Sequence, residues 1–191
     1  MKELSLNILD IAQNSIKAGA TRVEISLEQS GAWLTITISD DGSGMSPEFA
    51  AAAADPFTTT RTTRKVGMGL PLFKLAAEQT GGAFSIVSHQ AAFEGDRHGT
   101  TVRAAFDTSH VDCEPLGDVA STVTTLIQGN PELELIYRYR TEAGQKVLST
   151  EEMRQMLGDE VPLNSPEVLA WAKAFLEDGE LEPFDPEEPI N

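Results

Sequence analysis

The fold is organised around a stretch near the N-terminus, Leu6-Asn7-Ile8-Leu9-Asp10-Ile11-Ala12-Gln13-Asn14-Ser15-Ile16-Lys17-Ala18-Gly19-Ala20. Its apolar residues recur at the spacing of a helix that buries one face against a core. The predicted buried face consists of Leu6, Leu9, Ile16 and Ala20, with Ile8 and Ile11 on its flank. Gly19 follows as a C-terminal cap, so the sequence predicts an opening helix that ends there.

Three polar residues lie along one side of this predicted helix. Asp10 and Asn14 are four residues apart and therefore stand one turn above each other, and Lys17 continues the same stripe. An asparagine oxygen can ligate Mg²⁺, and a lysine can meet a phosphate as a point charge. Taken singly, Asn14 is better explained as a satisfied core amide and Lys17 as a surface lysine.

Composition limits the classes of protein to which the chain can belong. The 191 residues suffice for one domain with a core, alone or with a small appendage. A net charge of −16 argues against binding to nucleic acid or to an anionic membrane, since both require a basic face. The single Cys113 excludes an internal disulfide and suits a reducing compartment, and no apolar run could span a bilayer. We therefore expect a cytoplasmic protein.

Alternating apolar residues and turn signals predict an α/β architecture for the first half of the chain. The opening helix is followed by a hairpin, a short helix, a polar basic loop, a second helix and two further strands. The predicted strands cover residues 21–28, 33–39, 83–88 and 100–106, the helices cover residues 50–54 and 72–80, and the loop covers residues 55–66. This order predicts a two-layer α/β sandwich, with one sheet and its helices on a single face.

The pattern restarts after about residue 110. A helix over residues 116–127 is followed by a hairpin over residues 133–148 and by two short capped helices. The chain then becomes acidic and rich in proline. We predict three parts: a first domain over residues 1–108, a small α+β appendage over residues 109–178, and a disordered tail over residues 179–191.

Two glycine-rich turns carry the chemistry of the first half. Asp40-x-Gly42-x-Gly44 follows a strand, so its glycines bring the backbone close to a flat ligand while Asp40 offers an acceptor to an exocyclic amine. Gly67-x-Gly69 opens a helix, whose free N–H groups favour an anion. A plain turn and a solvated basic loop are the alternatives, but Arg61, Arg64 and Lys65 beside the second turn favour phosphate contact.

Together these motifs resemble the Bergerat-fold ATPases, a superfamily that includes gyrase, heat-shock chaperones, histidine kinases and MutL-type repair proteins. Four boxes occur in the family's order: Asp10-x-x-x-Asn14, Asp40-x-Gly42-x-Gly44, Gly67-x-Gly69-Leu70 and Gly99-Thr100. The resemblance covers residues 1–108. The first box is similar to that of mismatch-repair proteins, whereas Asn14-x-x-Lys17 and Pro56-Phe57-x-Thr59-Thr60-Arg61 are more similar to histidine kinases.

The resemblance implies ATP and Mg²⁺ as cofactors and a role for each matched position. Asn14 would bind Mg²⁺ and Asp40 would accept from the adenine amino group, which Thr100 would reach through water. Residues 55–66, with Thr59 and Arg61, would form the lid over the nucleotide. The adenine pocket would be shaped by Gly42, Gly44 and Met45, and the phosphates would be met by backbone N–H groups of Gly67, Met68, Gly69 and Leu70. Lys17 would contact a phosphate.

The resemblance also leaves the activity open. Asp10 stands where hydrolysing members carry a glutamate general base, and its shorter side chain implies slow turnover. His89, His98 and His110 follow the nucleotide boxes and are interpreted as incidental. We expect a Mg²⁺-dependent ATP-binding regulatory protein that hydrolyses ATP slowly in concert with a protein partner. A trans-acting protein kinase of the anti-sigma-factor type and a non-catalytic nucleotide-binding subunit are the alternatives. The sequence leaves the oligomeric state undetermined.

Overall fold

The computed structural model describes residues 3–54, 69–91, 98–158 and 160–183, which form six helices and six strands. The helices are α1 Leu4–Lys17, α2 Pro47–Ala53, α3 Gly69–Gln79, α4 Val119–Gly129, α5 Thr150–Leu157 and α6 Pro166–Glu177. The strands are β1 Arg22–Ser30, β2 Trp33–Asp40, β3 Phe84–His89, β4 Gly99–Asp107, β5 Glu134–Thr141 and β6 Gly144–Ser149. No helix within the described ranges is long and apolar enough to cross a membrane.

All six strands belong to one sheet, in the order β3-β4-β2-β1-β5-β6. Strands β1 and β5 run parallel, and the other neighbouring pairs are antiparallel. The hairpin β5–β6, predicted as part of an appendage, therefore extends the sheet of the N-terminal half. The division of the chain into domains stays a prediction.

One face of this sheet is buried beneath helices. Alternate residues of the central strands are buried, as the period of two requires, among them Ile25 of β1, Ile36 of β2 and Ala104 of β4. They form one hydrophobic cluster with residues of α1, α3, α4 and α6, including Phe73 and Val123. The predicted two-layer α/β sandwich is confirmed.

Helix α1 is rotated relative to the prediction. Its buried stripe runs through Leu4, Ile8, Ile11 and Ser15, whereas Leu6 is exposed. The predicted face was wrong for Leu6 because the periodicity was counted from apolar residues alone. The real stripe includes the polar Ser15, whose hydroxyl donates to Asp40 at the end of β2.

The first residues of the segment predicted as a disordered tail are ordered. The backbone N–H groups of Gln145 and Glu182 each donate to the other residue's carbonyl, both at 2.8 Å. This pairing covers the outer edge of β6 at one residue. Residues 184–191 lie outside the described part of the chain.

Candidate functional site

The carboxylate of Asp40 sits where α1, β2 and β4 meet. Its Oδ1 accepts the backbone N–H groups of Gly42 at 2.9 Å and Thr100 at 3.1 Å, and its Oδ2 accepts the hydroxyl of Ser15 at 2.5 Å. A carboxylate offers about four acceptor positions. The three bonds therefore fix the orientation of Asp40 and leave one position on Oδ2 for a ligand donor.

Asp40 forms part of a cleft between α1, the end of β2 and the start of α3. Polar side chains of Asn14, Ser15 and Thr100 lie beside an otherwise apolar lining. The full lining is Ile11, Asn14, Ser15, Ala18, Asp40, Gly44, Met45, Leu70, Thr100 and Val102. The structure thus brings together six of the predicted site residues from four separate segments: Asn14, Asp40, Gly44, Met45, Leu70 and Thr100.

The turn after β2 is held closely against β3. Gly44 has a positive φ of 66°, and a Cβ there would overlap the carbonyl oxygen of His89, so only glycine fits. The backbone N–H of Met45 donates to Ser88 Oγ at 2.8 Å, and that oxygen lies 2.8 Å from Thr100 Oγ1. These contacts place the Met45 side chain at the cleft.

Helix α3 begins directly beside Asp10. Gly69, its first helical residue, leaves room for that approach, because a Cβ on Gly69 would lie 3.0 Å from the Cβ of Asp10. The side chain of Asp10 is exposed and is not among the residues that line the cleft. A carboxylate is favourable near a helix N-terminus, and Asp10 lies beside the first residue of α3.

The remaining predicted residues lie apart from the cleft lining or outside the described ranges. Lys17 is exposed at the end of α1, and Gly42 is buried behind the cleft, where its N–H donates to Asp40. Thr59, Arg61, Gly67 and Met68, together with the predicted lid over residues 55–66, lie outside the described part of the chain. Their roles stay predictions.

Two residues missed by the sequence analysis support the site. Ser15 donates to Asp40 from the buried stripe of α1, which the structure defines. His98, interpreted as incidental, has its Nδ1 2.8 Å from the carbonyl oxygen of Gly42 and therefore donates to it. No local pattern indicates that contact, because the two residues are far apart in the chain.

Asn14 is the residue best placed to hold a metal ion. It lines the cleft, and its side-chain amide makes no hydrogen bond with any described residue, so its oxygen is free to act as a ligand. The described ranges contain no cluster of three or more His, Cys, Asp or Glu side chains that could enclose a metal. This donor set fits Mg²⁺ held mainly by phosphate and water oxygens.

A family model described as histidine kinase-, DNA gyrase B-, and HSP90-like ATPase matches residues 2–110. The chain belongs to this ATPase family. All of the residues that line the cleft fall within the matched range. Membership in this family implies that the chain binds ATP.

Relatives of this ATPase family member include much longer proteins. A sensor histidine kinase NtrY-like protein of Rickettsia conorii is 23% identical over 113 residues, which cover 59% of this chain and 18% of the relative. A second such protein, from Rickettsia bellii, is 25% identical over 91 residues, covering 47% and 15%. The chain therefore spans less than a fifth of the length of these relatives.

Solved structures show the same ATPase fold. The N-terminal domain of a DNA repair protein aligns with a TM-score of 0.54 at 19% identity, covering 78% of this chain and 53% of that one. The Aquifex aeolicus MutL ATPase domain complexed with ADP aligns with a TM-score of 0.51 at 16% identity, covering 78% and 63%. This coverage exceeds the range matched by the family model, so the shared fold continues into the C-terminal half.

Proposed function

We propose that the chain binds ATP together with Mg²⁺ in this cleft and hydrolyses it slowly, with the nucleotide state coupled to a protein partner. The observation that carries the proposal is the triply anchored Asp40 at the cleft of a member of this ATPase family. The MutL ATPase domain of the same fold was solved with ADP, which agrees with a nucleotide as ligand.

Adenine recognition would rest on one oriented acceptor between apolar walls. The free position of Asp40 Oδ2 suits the exocyclic amino group of adenine, which is a donor. Ile11, Met45 and Val102 line the same cleft and would contact the faces and edge of the base. Thr100, whose hydroxyl is linked to Ser88, would contribute through a bridging water.

The phosphates would extend from this base toward Asn14 and the start of α3. Leu70, in the first turn of α3, lines the cleft and carries one of the backbone N–H groups that a helix leaves unpaired. Asn14 would hold Mg²⁺ through its amide oxygen. When bound, the ion would neutralise phosphate charge and so lower the barrier to attack at phosphorus.

Asp10 would act as the general base for the attacking water. Its carboxylate is one turn from Asn14 on α1, beside Gly69, and is bound to no described residue. Aspartate is one methylene shorter than the glutamate of hydrolysing family members, so it would hold the water less well. Slow turnover follows, since general-base catalysis contributes typically about 10²–10⁴-fold.

The adenine assignment is tested by Asp40→Asn. We expect ATP affinity to fall at least about tenfold, because the new amide nitrogen cannot accept from adenine and a hydrogen bond to a charged group contributes about 1.5–3 kcal/mol. Asp41→Asn makes the same change one residue further on, outside the cleft lining, and should leave affinity unchanged. Calorimetric titration of both folded variants with ATP and Mg²⁺ measures this. Equal affinity in the Asp40→Asn variant would refute the assignment.

The reaction is tested with γ-labelled ATP. We expect the isolated protein to release labelled phosphate slowly and Asp10→Asn to reduce that rate by about 10²-fold or more while ATP affinity is kept. Persistence of the rate in Asp10→Asn would exclude Asp10 as the base. Transfer of label only to an added partner would indicate a protein kinase instead. ATP binding with neither phosphate release nor label transfer would indicate a non-catalytic subunit.

A further inference from the structure

A groove between α5 and α6 is lined almost entirely by apolar side chains. Its volume is about 400 Å³, and six apolar residues line it: Met153, Met156, Leu157, Val161, Val168 and Trp171. Met156 is 72% exposed and Trp171 is 51% exposed. Soluble proteins rarely leave such residues together on the surface unless something binds there.

Two contacts hold the aromatic side of this groove. Trp171 stacks on Phe175 with ring centroids 5.5 Å apart and an interplanar angle of 13°. Lys146 Nζ lies 4.8 Å from the centroid of the Phe175 ring and so holds that ring from the other end. A stacked tryptophan beside adaptable methionines is typical of the centre of a protein interface.

The rim of the groove is acidic. Glu167 lines the groove itself, and Glu152 and Glu182 line an adjoining cleft that shares Met153, Met156 and Trp171 with it. None of these three carboxylates forms an ion pair with a described residue. They remain available to a cationic partner.

The nearby cations, in contrast, are already engaged. Lys146 binds Asp178, and Lys173 lies 3.7 Å from both Asp118 and Glu177. Arg154 donates to the carbonyl oxygens of Pro131 and Leu133, at 2.9 Å each. Arg138, at the far end of the adjoining cleft, lies 3.8 Å from Glu24. The accessible charge around the groove is therefore negative.

We propose that this groove docks an amphipathic segment of a partner protein whose large apolar anchors are flanked by lysine or arginine. Charge complementarity selects this occupant. A second copy of the chain would bring the same carboxylates against one another, and residues 184–191 carry Asp185, Glu187 and Glu188 with no basic residue. The groove shares no lining residue with the cleft at Asp40, so the two sites can be changed by separate substitutions.

Trp171 offers a direct readout of occupancy, because Trp33 is the other of the two tryptophans and can be removed. The full-length Trp33→Phe variant is titrated, without nucleotide, with a helical Leu/Lys peptide of about 18 residues. A matched peptide carries Glu in place of every Lys. We expect saturable binding of the Leu/Lys peptide with a blue shift of Trp171 emission, and no binding of the Leu/Glu peptide.

Two pairs of variants separate the groove from general attraction between a basic peptide and an acidic protein. Met156→Gln should weaken binding about fivefold or more, whereas Val111→Gln, at an exposed valine that lines neither the groove nor the adjoining cleft, should not. The double variant Glu152→Gln/Glu167→Gln should weaken binding about fivefold at low salt. The control double variant Glu48→Gln/Glu132→Gln removes two exposed carboxylates elsewhere and should not weaken binding.

Four results would overturn the proposal. Equal binding of both peptides, or equal effects of the groove and control variants, would show that the groove has no such preference. Concentration-dependent dimerisation that Met156→Gln abolishes, measured by sedimentation, would make a second copy the occupant. A double variant that carries Phe184→Ser and Ile190→Ser is measured without peptide. A red shift of its Trp171 emission would make the chain's own C-terminal residues the occupant. None of these results bears on ATP binding, which the separate titrations with ATP and Mg²⁺ test.

Discussion

At the scale of single residues, two adjacent aspartates at the end of β2 have different roles. Asp40 turns into the cleft and orients its carboxylate through Ser15 and two backbone N–H groups. Asp41 turns the other way and binds the start of β1: it accepts from the backbone N–H groups of Thr21 and Arg22, both at 2.8 Å, and from the hydroxyl of Thr21 at 2.6 Å. The first is the proposed ligand acceptor, and the second is a structural anchor.

Asp41 predicts a pH dependence of stability. Partial burial raises its pKa, but the hydrogen bonds from Thr21 and Arg22 together outweigh burial and hold the pKa below the ordinary 3.8. A depressed pKa stabilises the fold above the pKa of the unfolded state, and this contribution is lost as pH falls through the lower, folded value. The difference in unfolding free energy between the native chain and Asp41→Asn should therefore shrink below about pH 4. Urea unfolding from pH 6 to pH 3 measures it, and a constant difference would contradict the role of Asp41.

At the scale of elements, α6 is attached to the edge strand β6 through one buried lysine. Lys146 donates to the carbonyl oxygen of Phe175, in the last turn of α6, at 2.7 Å, and it binds the carboxylate of Asp178 just beyond the helix end. The side chain of Lys146 is buried, whereas that of Asp178 is about half exposed. Removing Asp178 should therefore cost more stability than removing Lys146, because the remaining charge is buried in the first case and solvated in the second.

This asymmetry predicts unequal effects of two substitutions. Asp178→Ala leaves a buried ammonium with one neutral acceptor, whereas Lys146→Met leaves a carboxylate that water can solvate. We expect Asp178→Ala to lower the thermal midpoint by roughly twice as much as Lys146→Met. Differential scanning calorimetry at neutral pH gives both midpoints, with Glu180→Ala as a nearby acidic control. The reverse order would show that the lysine is not held as described.

At the scale of the whole molecule, the sheet crosses the boundary that the sequence suggested near residue 108. The parallel pairing of β1 with β5 joins the two halves over seven residue pairs, from Arg22 with Glu134 to Glu28 with Arg140. Helices α1 and α4 also meet, through the hydroxyl of Thr122 and the carbonyl oxygen of Ser5. One core is therefore shared between the halves.

A shared core predicts a single unfolding transition. Trp33 reports on β2, and Trp171 reports on α6, so each half contains one probe. The variants Trp33→Phe and Trp171→Phe each keep one tryptophan. We expect their urea midpoints measured by fluorescence to differ by no more than their midpoints measured by far-UV circular dichroism. A fluorescence transition that is separated from the circular dichroism transition of the same variant would instead establish an independent C-terminal domain.

The sequence by itself determined the elements and the order of the site's parts. Alternation identified β1 and β2, and Ser46 before Pro47 identified α2, whose cap is formed by Ser46 Oγ and the N–H of Phe49. These signals are local, because periodicity and caps depend on neighbours within one or two turns. Motif order then placed Asn14, Asp40 and Thr100 in one site before any contact was known, and the structure brings them into one cleft.

The tertiary structure decided the features that depend on residues distant in the chain. It determined the rotation of α1, because the buried hydroxyl of Ser15 finds its acceptor in Asp40, which lies on another element. It also determined the parallel pairing of β1 with β5 and the groove beside Trp171. Burial of a polar residue and exposure of an apolar one are set by what lies opposite in space, so no local pattern could specify either.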